Sequence, residues 1–147
     1  MKFQSRKDIV FQIITFGFAM IFIGVAIVIF VESGLEDRSS FLSSLLILSV
    51  AGLLLWMYLD TTYELTPIEL KYKCGPIRGA IPIEDILEII KGKTLWSGFK
   101  PATARNGLII KYRKYNEIYI SPKTNDTFVR NILELNSSIK VTANSNS

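Results

Sequence analysis

The stretch Ile9–Val31 reads IVFQIITFGFAMIFIGVAIVIFV and contains 23 residues without one formal charge. As an α-helix it extends about 35 Å, which exceeds the ~30 Å hydrocarbon core of a bilayer. A second uncharged stretch, Phe41–Leu59, reads FLSSLLILSVAGLLLWMYL and extends about 28 Å as a helix. We therefore predict that residues 1–59 form a membrane α-helical hairpin, with transmembrane helices at 9–31 and 41–59 and a short external connector.

Two other interpretations of the apolar stretches fit less well. A chain of 147 residues can hardly cover two entirely apolar helices within one soluble core. A cleaved signal peptide needs an apolar region of ~7–15 residues and a small-x-small cleavage site, which Val31-Glu32-Ser33-Gly34 does not provide. Six small residues are compatible either with close helix contact or with a lipid-facing position: Gly17, Ala19, Gly24, Ala26, Ala51 and Gly52.

Basic residues near the helix ends predict the orientation of the hairpin, because cytoplasmic flanks are enriched in Lys and Arg. The connector carries only Arg38, whereas the two outer flanks carry Lys2, Arg6, Lys7, Lys71 and Lys73. We therefore predict a multi-pass membrane protein with both termini in the cytoplasm. Trp56 and Tyr58, at the end of the second stretch, are the predicted interfacial anchors.

After residue 60 the continuous apolar runs give way to short alternating segments that are typical of strands. Strands are predicted at 62–65, 69–74, 77–83, 86–93, 107–113 and 117–121, with a loop at 95–105. Within 121–136 the spacing of Phe128 and Ile132 predicts an amphipathic helix, which Ser121 would cap. We expect a cytoplasmic domain at 60–142 and a disordered tail at 143–147.

The amino-acid composition excludes several common kinds of catalytic site. The chain has no histidine and one cysteine, which excludes Ser-His-Asp and Cys-His nucleophiles, histidine metal clusters and a disulfide within the chain. Cys74 lies on the apolar side of its predicted strand, and the acidic residues Glu84, Asp85 and Glu88 read as a solvated turn. We predict no enzymatic activity, no cofactor and no metal site.

The charge pattern supplies the candidate binding residues, since no acidic residue lies between Glu88 and Glu117. Each base near an anionic leaflet contributes ~1 kcal/mol of attraction, and aromatic rings suit the interface. A solvated surface, a specific headgroup pocket and unspecific orientation against the membrane remain open, whereas the two spans disfavour nucleic acid. The candidate membrane-facing or ligand-facing residues, named here the basic run, are Lys91, Lys93, Trp96, Phe99, Lys100, Arg105, Lys111, Arg113 and Lys114.

Several short segments in one order carry a resemblance to a known family. They are Gly75-Pro76, Ala80-Ile81-Pro82-Ile83-Glu84-Asp85-Ile86, Pro101-Ala102 followed by Leu108-Ile109-Ile110-Lys111-Tyr112, Ile120-Ser121-Pro122, and the closing Phe128, Leu133 and Asn136. Over residues 62–141 the sequence resembles the YyaB-like subgroup of bacterial pleckstrin-homology-like (PH-like) domains, which typically follow two membrane helices. The resemblance implies a mainly-β, bent, seven-stranded antiparallel barrel capped by a C-terminal α-helix, no general enzymatic activity, and a bacterial inner-membrane location.

These observations predict a membrane-anchored, non-catalytic binding or scaffold protein that presents a PH-like domain at the inner leaflet. A basic face, a sheet edge or the groove beside the C-terminal helix would engage a protein, a peptide or anionic membrane lipid. Homo-oligomerisation through the same surface is equally open. The alternatives are a membrane immunity protein against a peptide toxin and a membrane-linked OB-type barrel, although the C-terminal helix argues against the OB-type barrel.

Overall fold

The computed structural model describes residues 1–33, 37–95 and 100–143. Helix α1 spans Ile9–Ser33 and helix α2 spans Arg38–Leu59. Both are long and apolar enough to cross a membrane. In the most apolar 18-residue stretch of each helix, only 11% (α1) and 17% (α2) is buried. The core helices of a soluble protein are mostly buried, so this exposure of apolar side chains suits a lipid environment.

The contact between α1 and α2 separates the small residues into two groups. Ala19, Ala26 and Ala51 are each only 2% exposed. The Ser44 hydroxyl is also buried and donates a hydrogen bond to the Ala26 carbonyl oxygen at 3.3 Å. Three glycines have open space where a Cβ atom would stand, namely Gly17, Gly24 and Gly52. The alanines therefore form the helix contact, and the glycines do not.

The first sheet contains a strand that the sequence does not predict. Strand β1 comes from the N-terminal tail, where Phe3 pairs with Tyr63, and Leu65 N donates to the Met1 carbonyl oxygen at 2.7 Å. The sheet is antiparallel in the order β1-β2-β3-β4. Its strands are β1 (Lys2–Gln4), β2 (Thr61–Leu65), β3 (Glu69–Cys74) and β4 (Ile77–Pro82).

The second sheet has the order β7-β6-β5-β8, and β8 runs parallel to β5. A 3-10 turn at Ile83–Asp85 separates β4 from β5 and leads the chain from one sheet to the other. The predicted seven-stranded antiparallel barrel is therefore wrong: the described residues form two four-stranded sheets without a closed barrel. The strands are β5 (Ile86–Lys91), β6 (Leu108–Tyr112), β7 (Asn116–Ile120) and β8 (Lys140–Ala143).

Helix α3, Asn125–Leu135, covers the core between the sheets. Phe128 and Ile132 are fully buried, which confirms the amphipathic pattern, and the Phe128 ring meets Phe3 edge-on at 5.2 Å. The predicted cap is wrong, because α3 begins after Thr124 and not after Ser121. The core further contains Leu65, Leu70, Ile81, Ile86, Ile89, Leu108, Ile110, Ile118 and Ile120.

Candidate membrane and ligand interface

A single residue, Asp60, connects α2 to β2. Its backbone N–H donates to the Trp56 carbonyl oxygen at 2.9 Å. Its carboxylate accepts a hydrogen bond from the Trp56 indole at 3.2 Å and pairs with the Lys73 ammonium at 2.6 Å. The Lys73 hydrogen bond lowers the pKa of Asp60 below its usual value. The domain therefore starts directly at the end of the helix, in an orientation that several polar contacts hold.

A second connection joins β1 to α1. The Asp8 carboxylate accepts from Arg105 Nε at 2.8 Å, and the Asp8 N–H donates to the Thr103 carbonyl oxygen at 3.1 Å. The hydrogen bond from Arg105 lowers the pKa of Asp8. Arg6 donates from its guanidinium to the Arg105 carbonyl oxygen. The start of α1 is therefore held against the loop that precedes β6.

Four buried hydroxyl groups, named here the hydroxyl cluster, lie beside this second connection: Ser5, Tyr63, Thr103 and Ser121. Ser5 Oγ lies 2.9 Å from both Ser121 Oγ and Thr103 Oγ1, and 3.2 Å from the Tyr63 hydroxyl. Buried polar groups need such partners. The cluster joins the N-terminal segment to both sheets. Sequence reasoning missed it because its members are far apart along the chain and individually unremarkable.

The fold pairs four bases of the basic run with carboxylates. The pairs are Lys91 with Asp126, Arg105 with Asp8, Lys111 with Glu88 and Arg113 with Asp85. Lys93 and Lys100 are exposed and form no ion pair with any residue that the structure describes. The Lys114 ammonium stands 5.4 Å from the Tyr115 ring centroid. Carboxylates from other parts of the chain thus neutralise part of the basic run in the folded protein.

The basic run is also divided along the second sheet. Lys100 lies beside the helices, where it shares a cavity with Phe11 and Tyr58. Arg113 and Lys114 follow the end of β6 and line a different cavity, together with Glu88 and Glu117. The structure therefore does not bring the predicted residues together on one small patch. Trp96 and Phe99 of the run, and residues 144–147 of the predicted tail, lie outside the described residues.

The two predicted anchors differ in exposure. Trp56 is 50% exposed, and its indole N–H donates to the Asp60 carboxylate. Tyr58 is 6% exposed and packs edge-on against Phe16 at 5.9 Å, with the Lys7 ammonium 5.4 Å from its ring centroid. Trp56 is thus positioned to meet the surroundings of the helix, whereas Tyr58 is enclosed where the helices meet the domain.

Basic residues outside the run meet on the outer face of the first sheet. The β-sheet register places Lys2, Glu64 and Lys71 in one row across β1, β2 and β3, and places Lys73 next to Arg78 in another row. These side chains surround a cavity of about 720 Å³, named here the sheet groove. The alternation of lysines along β3 is visible in the sequence, but only the register adds Lys2 and Arg78.

Comparisons with known proteins agree with this architecture. A family model described as "Bacterial PH domain" matches residues 61–136, which is more than half of the chain. The chain is 29% identical over 140 residues to "Uncharacterized protein YyaB" of Bacillus subtilis (strain 168), covering 95% of each protein. No solved structure gives a significant match. Two apolar helices and the terminal strands β1 and β8 lie outside the matched segment, and the matched segment shows that the chain belongs to the bacterial PH domain family.

Proposed function

We propose that this protein is a membrane-anchored, non-catalytic binding protein that holds its PH-like domain at the inner leaflet in a fixed orientation. The observation that carries the proposal is the shortness of both connections. One residue separates α2 from β2, and four residues separate β1 from α1. A domain attached in this way has little freedom to rotate away from the surface.

Such an attachment favours weak binding sites. A tethered domain is confined to a thin layer at the membrane surface. The effective concentration of a ligand that lies in or on the membrane is therefore high. PH-like domains are generally non-catalytic, and the family match supports a binding role. Resistance to a peptide toxin stays a prediction, because no described residue or matched protein bears on it.

The sheet groove is the surface that suits a ligand best. Four cations and one carboxylate, Glu64, line it: Lys71 pairs with Glu69 at 3.0 Å and Lys73 with Asp60, whereas Lys2 and Arg78 form no ion pair with any residue that the structure describes. Lys73 contacts Asp60, which also contacts Trp56, so one end of the groove lies beside the end of α2. Strand β4 is the edge of this sheet and offers backbone groups to an added strand. We propose that the groove binds an extended acidic segment of a membrane-associated protein.

Photo-crosslinking of the full-length protein in its native membrane tests this proposal. A photoreactive residue replaces Ala80, which lies in the groove and is exposed, and the control replaces Glu117, exposed on β7 of the other sheet. We expect one recurrent protein adduct from position 80 and none from position 117. Arg78→Gln should lower the yield severalfold, since a charge-assisted contact is lost.

Three outcomes would count against the proposed ligand. Lipid adducts alone at position 80 would replace the protein ligand with an anionic headgroup. Equal yields from positions 80 and 117 would indicate random collisions. An unchanged yield in Arg78→Gln would remove charge recognition from the groove.

A further inference from the structure

A second cavity, of about 240 Å³, lies where the two helices meet the domain. Its helical side is apolar and includes Phe11 and Phe18 of α1 and Leu54 of α2. Its domain side includes Lys100 and Thr103. One cavity thus combines an apolar wall with an ammonium group and a hydroxyl group.

The cavity is deeper than the headgroup layer. Phe18 is nine residues from the start of α1 at Ile9, which corresponds to about 13 Å along the helix. The headgroup layer accounts for only ~5–8 Å on each side of the bilayer. If α1 starts at the membrane surface, the apolar wall extends into the hydrocarbon layer while Lys100 remains at the surface. This geometry suits an amphiphile and not a free anion.

Tyr58 lines the same cavity, and its hydroxyl has no partner among the described residues. The residue is only 6% exposed, yet its hydroxyl forms no hydrogen bond with any residue that the structure describes. A buried hydroxyl is costly unless it is hydrogen-bonded. The contact with Phe16 involves the aromatic ring of Tyr58 and provides no hydrogen bond to its hydroxyl oxygen. Because Tyr58 lines the cavity, a ligand acceptor that enters beside the ring would give this buried hydroxyl the partner that it lacks among the described residues.

The charges around the cavity favour an anion. The Lys7 ammonium stands over the Tyr58 ring at 5.4 Å, and Lys100 is exposed at the rim. Neither forms an ion pair within the described part of the chain. The neighbouring carboxylate of Asp8 is already engaged by Arg105 at 2.8 Å. Lys100 in the cavity lining and Lys7 over the Tyr58 ring are therefore two cations that no described carboxylate pairs with.

We propose that this cavity binds one anionic phospholipid of the inner leaflet. Its phosphate contacts Lys100, Lys7 and the Tyr58 hydroxyl, and an acyl chain lies along Phe18 and Leu54. The inference depends on the hairpin being in a membrane and is independent of the sheet groove. The bound lipid fills the gap between the helices and the domain, and so completes the connection that holds the domain in place.

Native mass spectrometry of the full-length protein tests this inference. The protein is released from nanodiscs that contain phosphatidylcholine and phosphatidylglycerol in equal amounts, and the retained lipid is identified. We expect one retained phosphatidylglycerol in the wild type. Lys100→Gln should reduce its retention roughly fivefold, as expected for one lost lysine–lipid attraction, and Tyr58→Phe should also reduce it. Lys114→Gln, which removes a charge that lines a different cavity, serves as the matched control.

Each remaining result would overturn the inference. Equal retention of the two lipids would indicate apolar contact alone. Undiminished phosphatidylglycerol in both Lys100→Gln and Tyr58→Phe would place the lipid elsewhere, and an equal loss in Lys114→Gln would indicate a net-charge effect. Displacement of phosphatidylglycerol by inorganic phosphate would identify a soluble anion as the ligand. Arg78→Gln should leave retention unchanged, so failure here is distinguishable from failure at the sheet groove.

Discussion

The Tyr63 hydroxyl serves two backbone groups in the core. It donates to the Pro101 carbonyl oxygen at 2.5 Å and accepts from the Ser121 N–H at 3.1 Å. Burial raises the pKa of this hydroxyl, because a phenolate is poorly solvated there. One side chain of β2 thus organises the loop before β6 and the end of β7.

Tyr63→Phe is expected to lower the free energy of unfolding by about 1–3 kcal/mol, because Pro101 and Ser121 lose a buried hydrogen-bond partner. Denaturant titration of the full-length protein in detergent micelles measures the change. Tyr115→Phe provides the control, since Tyr115 is 85% exposed and its loss should change stability by less than about 0.5 kcal/mol. Equal stability of Tyr63→Phe and the wild type would contradict a structural role for the hydroxyl cluster.

At the scale of the elements, Glu88 connects three strands of the second sheet. Its carboxylate on β5 accepts from the Thr142 hydroxyl of β8 at 2.7 Å and from the Lys111 ammonium of β6 at 3.0 Å. These two hydrogen bonds, first Thr142 and then Lys111, lower the pKa of Glu88 below its usual 4.5. The parallel pairing of β8 therefore has an acid-sensitive contact.

The sign of the pH effect follows from the lowered pKa of Glu88. The contact stabilises the fold fully above about pH 4.5 and is lost as the pH falls through the lower folded-state pKa, because the unfolded chain takes up the proton first. We expect Glu88→Gln to show a smaller loss of Tm between about pH 7 and pH 3 than the wild type. Melting curves of the full-length protein measure this. Glu134→Gln, on the exposed side of α3, should behave as the wild type, and parallel losses in all three proteins would contradict the prediction.

For the whole molecule, the two connections make the helices and the domain one unit. The hydroxyl cluster and the Asp8–Arg105 pair hold the start of α1, and the Asp60–Lys73 pair holds the end of α2. The ends of the hairpin that meet the domain are also the ends with basic flanks. If the hairpin crosses a membrane as proposed, its orientation determines on which side the domain, with its groove and its junction cavity, is displayed.

Cysteine labelling of intact cells tests the predicted orientation. In a Cys74→Ser background, a membrane-impermeant thiol reagent should label Arg38→Cys, at the start of α2, from outside. Lys114→Cys, in the domain, should react only after permeabilisation, because basic flanks stay in the cytoplasm. Labelling of Lys114→Cys in intact cells would place the domain outside and would contradict the function proposed at the inner leaflet.

Local patterns in the sequence were sufficient to predict most of the helices and strands. A run without charge predicts a membrane-length helix, and α1 and α2 begin and end within three residues of the predicted ranges. The spacing of Phe128 and Ile132 predicts α3, and the short separation of the predicted strands at 107–113 and 117–121 predicts the pairing of β6 with β7. These features depend on neighbours along the chain, which a sequence displays directly.

Which strands pair with each other, and which charges form ion pairs, was decided only by the tertiary structure. The sequence shows neither that Lys2–Gln4 pairs with β2 nor that β8 lies parallel to β5, because short strands have weak patterns and pair through distant backbone. The division into two sheets has the same origin. Four bases of the basic run meet carboxylates that lie outside its acid-free stretch, whereas Lys2 and Arg78 of the sheet groove form no ion pair with any residue that the structure describes. Charge complementarity acts through space and not along the chain. The sequence therefore determined most of the elements and the charges that they carry, and the tertiary structure alone decided which charges remain available.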